Sequence, residues 1–182
     1  ERIDAWQAVV SDGVAASVHG APGKQGKALR LDYDFKGGAG YAAARRSLPL
    51  DFGENYEISF WLRAEAPVNN LELKLVDASG DNVWWVNRPN FAISTQWQRV
   101  TFKKRHVQFA WGPARDQTLR HTEKVELVVS AGRDGGKGAL FIDQLEVRAL
   151  AVPGPLPPRQ FSVSSGQLQG PVWRDAGADG RL

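Results

Sequence analysis

The run Tyr56-Glu57-Ile58-Ser59-Phe60-Trp61-Leu62-Arg63 decides the architecture. Successive side chains of a strand point to opposite faces, so Tyr56, Ile58, Phe60 and Leu62 share one face and Glu57, Ser59, Trp61 and Arg63 the other. Alternation of this kind predicts a strand with one face on a core and one in water. After the Pro67-Val68-Asn69-Asn70 turn, Leu71-Glu72-Leu73-Lys74-Leu75 repeats the pattern, with Glu72 and Lys74 on the polar side. Further runs rich in β-branched and aromatic residues lie at 28–35, 41–48, 82–88, 98–103, 124–131 and 139–149, with weaker ones at 3–10 and 14–19. Clusters of Gly, Asn and Asp separate them. About ten short strands with closely spaced turn signals predict an all-β jelly-roll β-sandwich of two antiparallel sheets.

The pattern stops near Leu150, where Val152-Pro153-Gly154-Pro155-Leu156-Pro157-Pro158 begins a different composition. Proline at this density cannot donate to a ladder and favours extended geometry. The expected organisation is therefore one domain over 1–150 and a Pro/Gly-rich linker or arm over 151–182, leading toward a further domain. The chain opens at Glu1 without Met or an apolar leader, and reads as a processed product or an excised domain.

Composition narrows the partners. The 182 residues carry 23 Lys+Arg against 20 Asp+Glu, a formal charge of +3 spread along the chain rather than gathered in basic blocks, so nucleic acid is not an expected partner. No apolar stretch approaches the roughly 20 residues that cross a bilayer, so no membrane partner is expected either. The absence of Cys removes disulfides, thiolate metal sites and Cys nucleophiles together.

Several short motifs lead nowhere. Gly38-Ala39-Gly40 lacks the third glycine and the βαβ setting of a dinucleotide fingerprint, and reads as a turn. His19, His106 and His121 have no zinc spacing between them. Asp77-Ala78-Ser79-Gly80-Asp81-Asn82 partly matches a calcium loop, but its glycine is displaced and no distal Glu follows, so it reads as a hairpin turn. Glycoside hydrolysis needs two carboxylates flanking one bond. Glu57, Glu72 and Glu126 stand singly on predicted strands and read first as solvated or ion-paired carboxylates. A glycan-degrading β-sandwich enzyme using a pair of them is the alternative.

The aromatic and polar residues carry more. Asp81-Asn82-Val83-Trp84-Trp85-Val86-Asn87-Arg88 places one indole on each face of a strand, and His106-Val107-Gln108-Phe109-Ala110-Trp111-Gly112-Pro113 follows one strand later, with Arg115 just beyond. Pyranose C–H faces stack on indoles while Asn, Gln, Arg and His bond hydroxyls. Trp84, Trp85, Asn87, Arg88, His106, Gln108, Trp111 and Arg115 are therefore the candidate carbohydrate-binding residues. One of Trp84 and Trp85 belongs to the core, and Trp85, which shares a face with Asn87, is the one expected in the cleft. Trp111, at a loop start before Gly-Pro, is expected to be exposed. Trp6, Trp61 and Trp97 are assigned to the core or to strand-end packing. The third possibility is a structural domain whose aromatic surface docks on a catalytic domain.

Four stretches resemble the galactose-binding-domain-like jelly-roll carbohydrate-binding modules, in particular the family-eleven type. Gly26-Lys27-Ala28-Leu29-Arg30-Leu31-Asp32-Tyr33, followed by Gly40-Tyr41, is similar to the family's early strand and its glycine-aromatic pair. Tyr56 to Leu62 is similar to a central strand, Trp97-Gln98-Arg99-Val100-Thr101-Phe102 to a later one, and Gly138-Ala139-Leu140-Phe141-Ile142-Asp143-Gln144-Leu145-Glu146-Val147 to the closing strand. The resemblance covers positions 1 to about 150 and consists of strand-packing patterns. It implies a non-catalytic module binding a polysaccharide or oligosaccharide on a concave sheet face, in the same polypeptide as a catalytic domain of a secreted or periplasmic, bacterial-like glycan-active enzyme. It also implies structural calcium, with Asp143 and Asp4 as metal ligands. Family members often line the cleft with several tyrosines, whereas this chain has three in all. Its cleft would be richer in Trp, Arg and His, and arginines suit an acidic or substituted glycan.

Overall fold

The computed structural model describes residues 2–154, so the arm expected over 151–182 lies outside the described residues beyond Gly154. Eleven strands occur among the described residues: β1 (Trp6–Val10), β2 (Ala15–Pro22), β3 (Lys27–Asp34), β4 (Tyr41–Asp51), β5 (Tyr56–Glu65), β6 (Asn69–Val76), β7 (Val83–Phe91), β8 (Gln98–Lys103), β9 (Gln108–Trp111), β10 (His121–Ser130) and β11 (Lys137–Ala149). They form a six-stranded sheet, ordered β1-β4-β10-β6-β7-β9, and a five-stranded sheet, ordered β2-β3-β11-β5-β8. Every pairing is antiparallel. The chain crosses repeatedly between the sheets, and the result is the expected jelly-roll sandwich.

The alternation that decides the fold also builds the core. Tyr56, Ile58, Phe60 and Leu62 of β5, with Leu29 and Leu31 of β3 in the same sheet, share one buried cluster with Leu71, Leu73 and Leu75 of β6 and Val125, Leu127 and Val129 of β10 in the other. Phe60 and Phe102 meet edge to face, with centroids 5.9 Å apart. Each such side chain contributes about 1.5–3 kcal/mol of burial.

Two boundaries differ from the sequence reading. Ile3–Ala5 closes as a 3-10 turn, so β1 starts at Trp6 rather than at residue 3. Gln108–Trp111 is a strand, pairing only with β7 at the edge of the six-stranded sheet, and Trp111 ends it rather than opening a loop. Pro49 lies inside β4, beyond the last residue paired to β1 and at a register shift against β10, where its missing N–H breaks no ladder bond.

The expectation of a wet second face on β5 is overturned. Glu57 and Ser59 are both buried there. Arg148 ion-pairs with Glu57 across the β11 ladder, and Arg99 donates to Ser59 Oγ at 2.9 Å. The Arg63 guanidinium lies over the Phe141 ring at 3.6 Å and the Trp97 ring at 5.4 Å. Arg148 of β11 and Arg99 of β8 thus roof the polar positions, while Arg63 of β5 itself folds over the neighbouring rings. Trp61 is half-buried beneath Lys24, whose Nζ sits 4.5 Å from the ring centroid, and Trp6 is in the core.

The β6–β7 hairpin is closed by one carboxylate, as its turn reading requires. Asp77 accepts from Ser79 Oγ at 2.7 Å, Gly80 N at 3.0 Å and Asn82 Nδ2 at 2.6 Å, while Gly80 takes a left-handed φ of 84°. Burial pushes the Asp77 carboxyl up, but the hydrogen bonds from Asn82, Ser79 and Gly80 outweigh it and hold the group below its ordinary value. A depressed carboxyl stabilises the fold above the unfolded-state value and loses that contribution as pH falls through the folded-state value. Asp77→Ala should cost about 1–2 kcal/mol in urea denaturation at neutral pH, and its gap from the wild type should shrink in acid.

Candidate functional site on the six-stranded sheet

Register decides what each tryptophan of β7 can do. Trp85 stands opposite Lys74 of β6 and Gln108 of β9, whereas Trp84 stands opposite Leu75 and Phe109. Trp84 points inward and is 6% exposed. Its Nε1 donates to the Gln117 carbonyl at 2.6 Å, and its ring meets Phe109 edge-on at 5.4 Å. Trp84 is therefore a core residue that the outer sheet face does not present. Trp85 points outward and meets Trp111 edge-on at 5.8 Å, with an interplanar angle of 79°. Trp111 is 47% exposed.

The loop behind Trp111 is pinned by the β6–β7 hairpin. Asn82, already tied to Asp77, accepts from Ala114 N at 2.8 Å through Oδ1. Gly112 has a φ of 135°, and a Cβ there would collide with Asn82 Oδ1 and the Asp81 carbonyl. Only glycine lets the chain turn this tightly after Trp111.

Away from the core, the sheet forms a trough. Val128 of β10 is 0% exposed although it points away from the sandwich interior, and Glu72 and Glu126 beside it are also buried. Lys74 Nζ lies 5.0 Å from the Tyr41 ring centroid and 5.4 Å from that of Trp111, joining β4 to β9 across the floor. It ion-pairs with Glu72 at 3.1 Å, and Ser130 Oγ donates to Glu72 at 2.6 Å. Arg45 Nε donates to Glu126 at 2.7 Å. A cavity of about 350 Å³ is lined by Tyr41, Arg45, Lys74, Trp111, Lys124 and Glu126 among others. A second, of about 360 Å³, is lined by Trp85, Asn87, Arg88, Arg105, His106 and Gln108. Asn87 Oδ1 is buried and has no hydrogen-bond partner among the described residues. A ligand hydroxyl would satisfy it.

The eight sequence candidates therefore separate. Trp85, Asn87, Gln108 and Trp111 share the trough face. Arg88 shares the inward parity of Trp84 and Val86, and its guanidinium lies 5.6 Å from the Phe102 centroid, although the side chain still reaches the second cavity. His106 sits on the 3-10 turn Lys104–His106, where its Nδ1 accepts from Lys103 N at 3.1 Å. Burial, then the charges of Arg105, Arg88 and Lys103, push the imidazole below its ordinary value, which favours its neutral form. Arg115 is exposed in the loop after Pro113 and lines neither trough cavity.

Tyr41, Arg45, Lys74 and Lys124 escaped the sequence reading. Their parity on β4, β6 and β10 was readable, but nothing local says that these strands lie beside β7. Of the three weighed carboxylates, Glu57 belongs to the other sheet. Glu72 and Glu126 lie diagonally across the β6–β10 ladder, each against its own cation.

Asp143 is 2% exposed on β11 and accepts from Gln25 N at 3.0 Å. A register shift follows it, and Gln144 takes a left-handed φ of 53°. Gly23 approaches closely enough that a Cβ would lie 2.7 Å from Asp143 Oδ2. Asp4 is exposed, with no described contact to Asp143. No cluster of three His, Asp or Glu side chains able to hold a metal occurs among the described residues.

Neither a protein-family model nor a curated protein matches this chain. Solved structures do. The family 11 carbohydrate-binding module of a cellulosomal cellulase of Clostridium thermocellum is similar at 16% identity and a TM-score of 0.63, over 80% of this chain and 88% of that one. The family 11 module from Clostridium thermocellum in complex with a β-1,3-1,4-mixed-linked tetrasaccharide matches at 16% identity and a TM-score of 0.63, over 80% and 89%. An exo-β-agarase is similar at 15% identity and a TM-score of 0.54, over 82% of this chain and 24% of its own. The chain has the β-sandwich fold of the family 11 modules.

The two indoles of β7 should respond oppositely to truncation. Trp84→Ala should cost about 3–5 kcal/mol in urea denaturation. Trp85→Ala should cost less than about 1.5 kcal/mol, the scale of one edge-to-face contact.

Proposed function

We propose that this chain is a non-catalytic carbohydrate-binding module whose trough holds a stretch of polysaccharide or oligosaccharide. The observation that carries the reading is the juxtaposition of the Trp85–Trp111 wall with a floor of buried, hydrogen-bonding charges. Indole faces take pyranose C–H surfaces, while Arg45, Lys74, Glu126, Asn87 and Gln108 offer donors and acceptors to hydroxyls. Around the first cavity the floor is nearly balanced, with Arg45, Lys74 and Lys124 against Glu72 and Glu126, which suits neutral sugars there. The likeness to a module solved in complex with a mixed-linked tetrasaccharide supports the ligand class.

The fold also matches about a quarter of an exo-β-agarase chain, which supports an accessory role beside a catalytic domain. A polysaccharide ligand places such a module outside the cytoplasm, and no helix among the described residues is long and apolar enough to cross a membrane. Affinity should be modest, since an open trough leaves its hydrogen bonds competing with water at about 1 kcal/mol each.

Calcium belongs to the same reading. The buried Asp143 carboxylate, held under Gly23 with a single backbone donor, is a fitting anionic ligand, and further hard oxygen ligands would have to come from backbone carbonyls or water. Asp4 is left out of this set.

Affinity electrophoresis against mixed-linked β-glucan, agarose and other neutral polysaccharides should show retardation. Trp111→Ala should weaken binding by about tenfold while leaving stability nearly intact. A chain that no polysaccharide retards would sink the proposal. For the metal, added calcium should raise the melting temperature of the wild type and leave Asp143→Asn unmoved. No calcium-dependent shift in the wild type would remove the ion from the account.

A further inference from the structure

A cavity of about 580 Å³ lies not in the trough but at one end of the sandwich. It opens between the β4–β5 loop at Asn55, the turn Lys104–His106 and the 117–119 segment. Tyr56, Trp84, Val107, Phe109 and Leu119 make an apolar and aromatic floor. The side chains of Lys103, Lys104 and Arg105 are exposed at its mouth, and no carboxylate lines it. The volume is that of a small-ligand pocket.

The cations at the mouth are not used up by the fold. Lys104 Nζ donates to the Glu54 carbonyl at 2.7 Å. Lys103 and Arg105 make no ion pair among the described residues. Glu57, the register partner of Lys103, is taken by Arg148. The field of the cluster is felt by His106, whose imidazole is pushed down by burial and then by Arg105, Arg88 and Lys103. Three uncompensated cations over an aromatic floor call for a ligand that is both flat or ring-shaped and negatively charged. Peptide groups of 117–119 at the wall add hydrogen-bonding capacity for hydroxyls.

We propose that this end pocket is a second ligand site, separate from the trough, for an anionic sugar ring whose carboxylate or sulfate is held by Lys103 and Arg105 while the ring rests on Phe109 and the edge of Trp84. The proposal stands independently of the trough reading, which rests on the Trp85–Trp111 wall and on cations paired with Glu72 and Glu126. Arg105 borders both cavities, so an acidic residue could terminate or branch from a chain lying in the trough.

The test is titration of the full chain with galacturonate, galactose 6-sulfate and galactose, read by calorimetry and by the indole N–H signal of Trp84. Either anionic sugar should bind at least about tenfold tighter than galactose, move the Trp84 signal and weaken as salt rises. The galacturonate and sulfate arms decide which anionic group is preferred. The double variant Lys103→Glu, Arg105→Glu should remove that preference, and the milder Arg105→Gln should reduce it. Trp111→Ala should leave it unchanged, even where neutral polysaccharide binding is lost. Equal affinity for galactose and galacturonate would overturn the site. So would loss of the anionic ligand in Trp111→Ala, or inorganic sulfate competing as well as the sugar sulfate.

Discussion

The ion pairs Arg45–Glu126 and Lys74–Glu72 are the constraint on which the outer face of the six-stranded sheet depends. Three of the four side chains are almost wholly withdrawn from water, on strands whose opposite faces form the sandwich core. Removing either partner would leave a buried charge unpaired, which costs far more than a surface pair contributes. Paired, the four groups let the central strands keep Glu72, Lys74 and Glu126 on their outer face with little exposure to water. They also fix Lys74 between Tyr41 and Trp111, so the same charges that satisfy each other align the aromatic walls.

That arrangement explains how much could be read in advance. The fold was legible because period-2 alternation in β5, β6 and β10 is a local property of the chain, and burial of one parity forces two sheets to face each other. The opposite orientations of Trp84 and Trp85 follow from the same parity. What surrounds Trp85 does not, because Tyr41 and Arg45 come from β4, which reaches the trough only through β10 and β6. Strand order is a non-local fact that no single window of sequence carries. The same limit explains the covered second face of β5, where Arg148 of β11 and Arg99 of β8 reach across to close over positions that alternation alone leaves to water.

Strand β9 was hidden for another reason. It is four residues long, has one neighbour, and is bounded by the 3-10 turn at His106 and by Gly112-Pro113. Nothing in such a fragment distinguishes an edge strand from a loop. Its position is set from outside, by the relay from Asp77 through Asn82 to the Ala114 amide, which presses the turn after Trp111 against the β6–β7 hairpin. A hairpin that resembles a metal loop in sequence thus serves the trough mechanically, holding one wall by hydrogen bonds alone.

The turn Lys104–His106 divides two electrostatic settings that differ in kind. On its trough side, Arg88 and Arg105 border a cavity rich in Trp85, Asn87 and Gln108, and farther along the floor Glu72 and Glu126 answer Lys74 and Arg45, so ring faces and hydroxyl geometry enter recognition there. On its other side, Lys103, Lys104 and Arg105 have no acidic counterpart in the pocket wall, and charge becomes the dominant selective term. Of the two arginines expected from sequence in the cleft, Arg88 turns toward Phe102 and Arg115 lines neither trough cavity, while Arg45, which the sequence did not single out, pairs with Glu126 on the floor and Arg105 stands between the two sites. Selectivity for neutral and for charged sugar would then belong to separate surfaces of one sandwich that meet at Arg105.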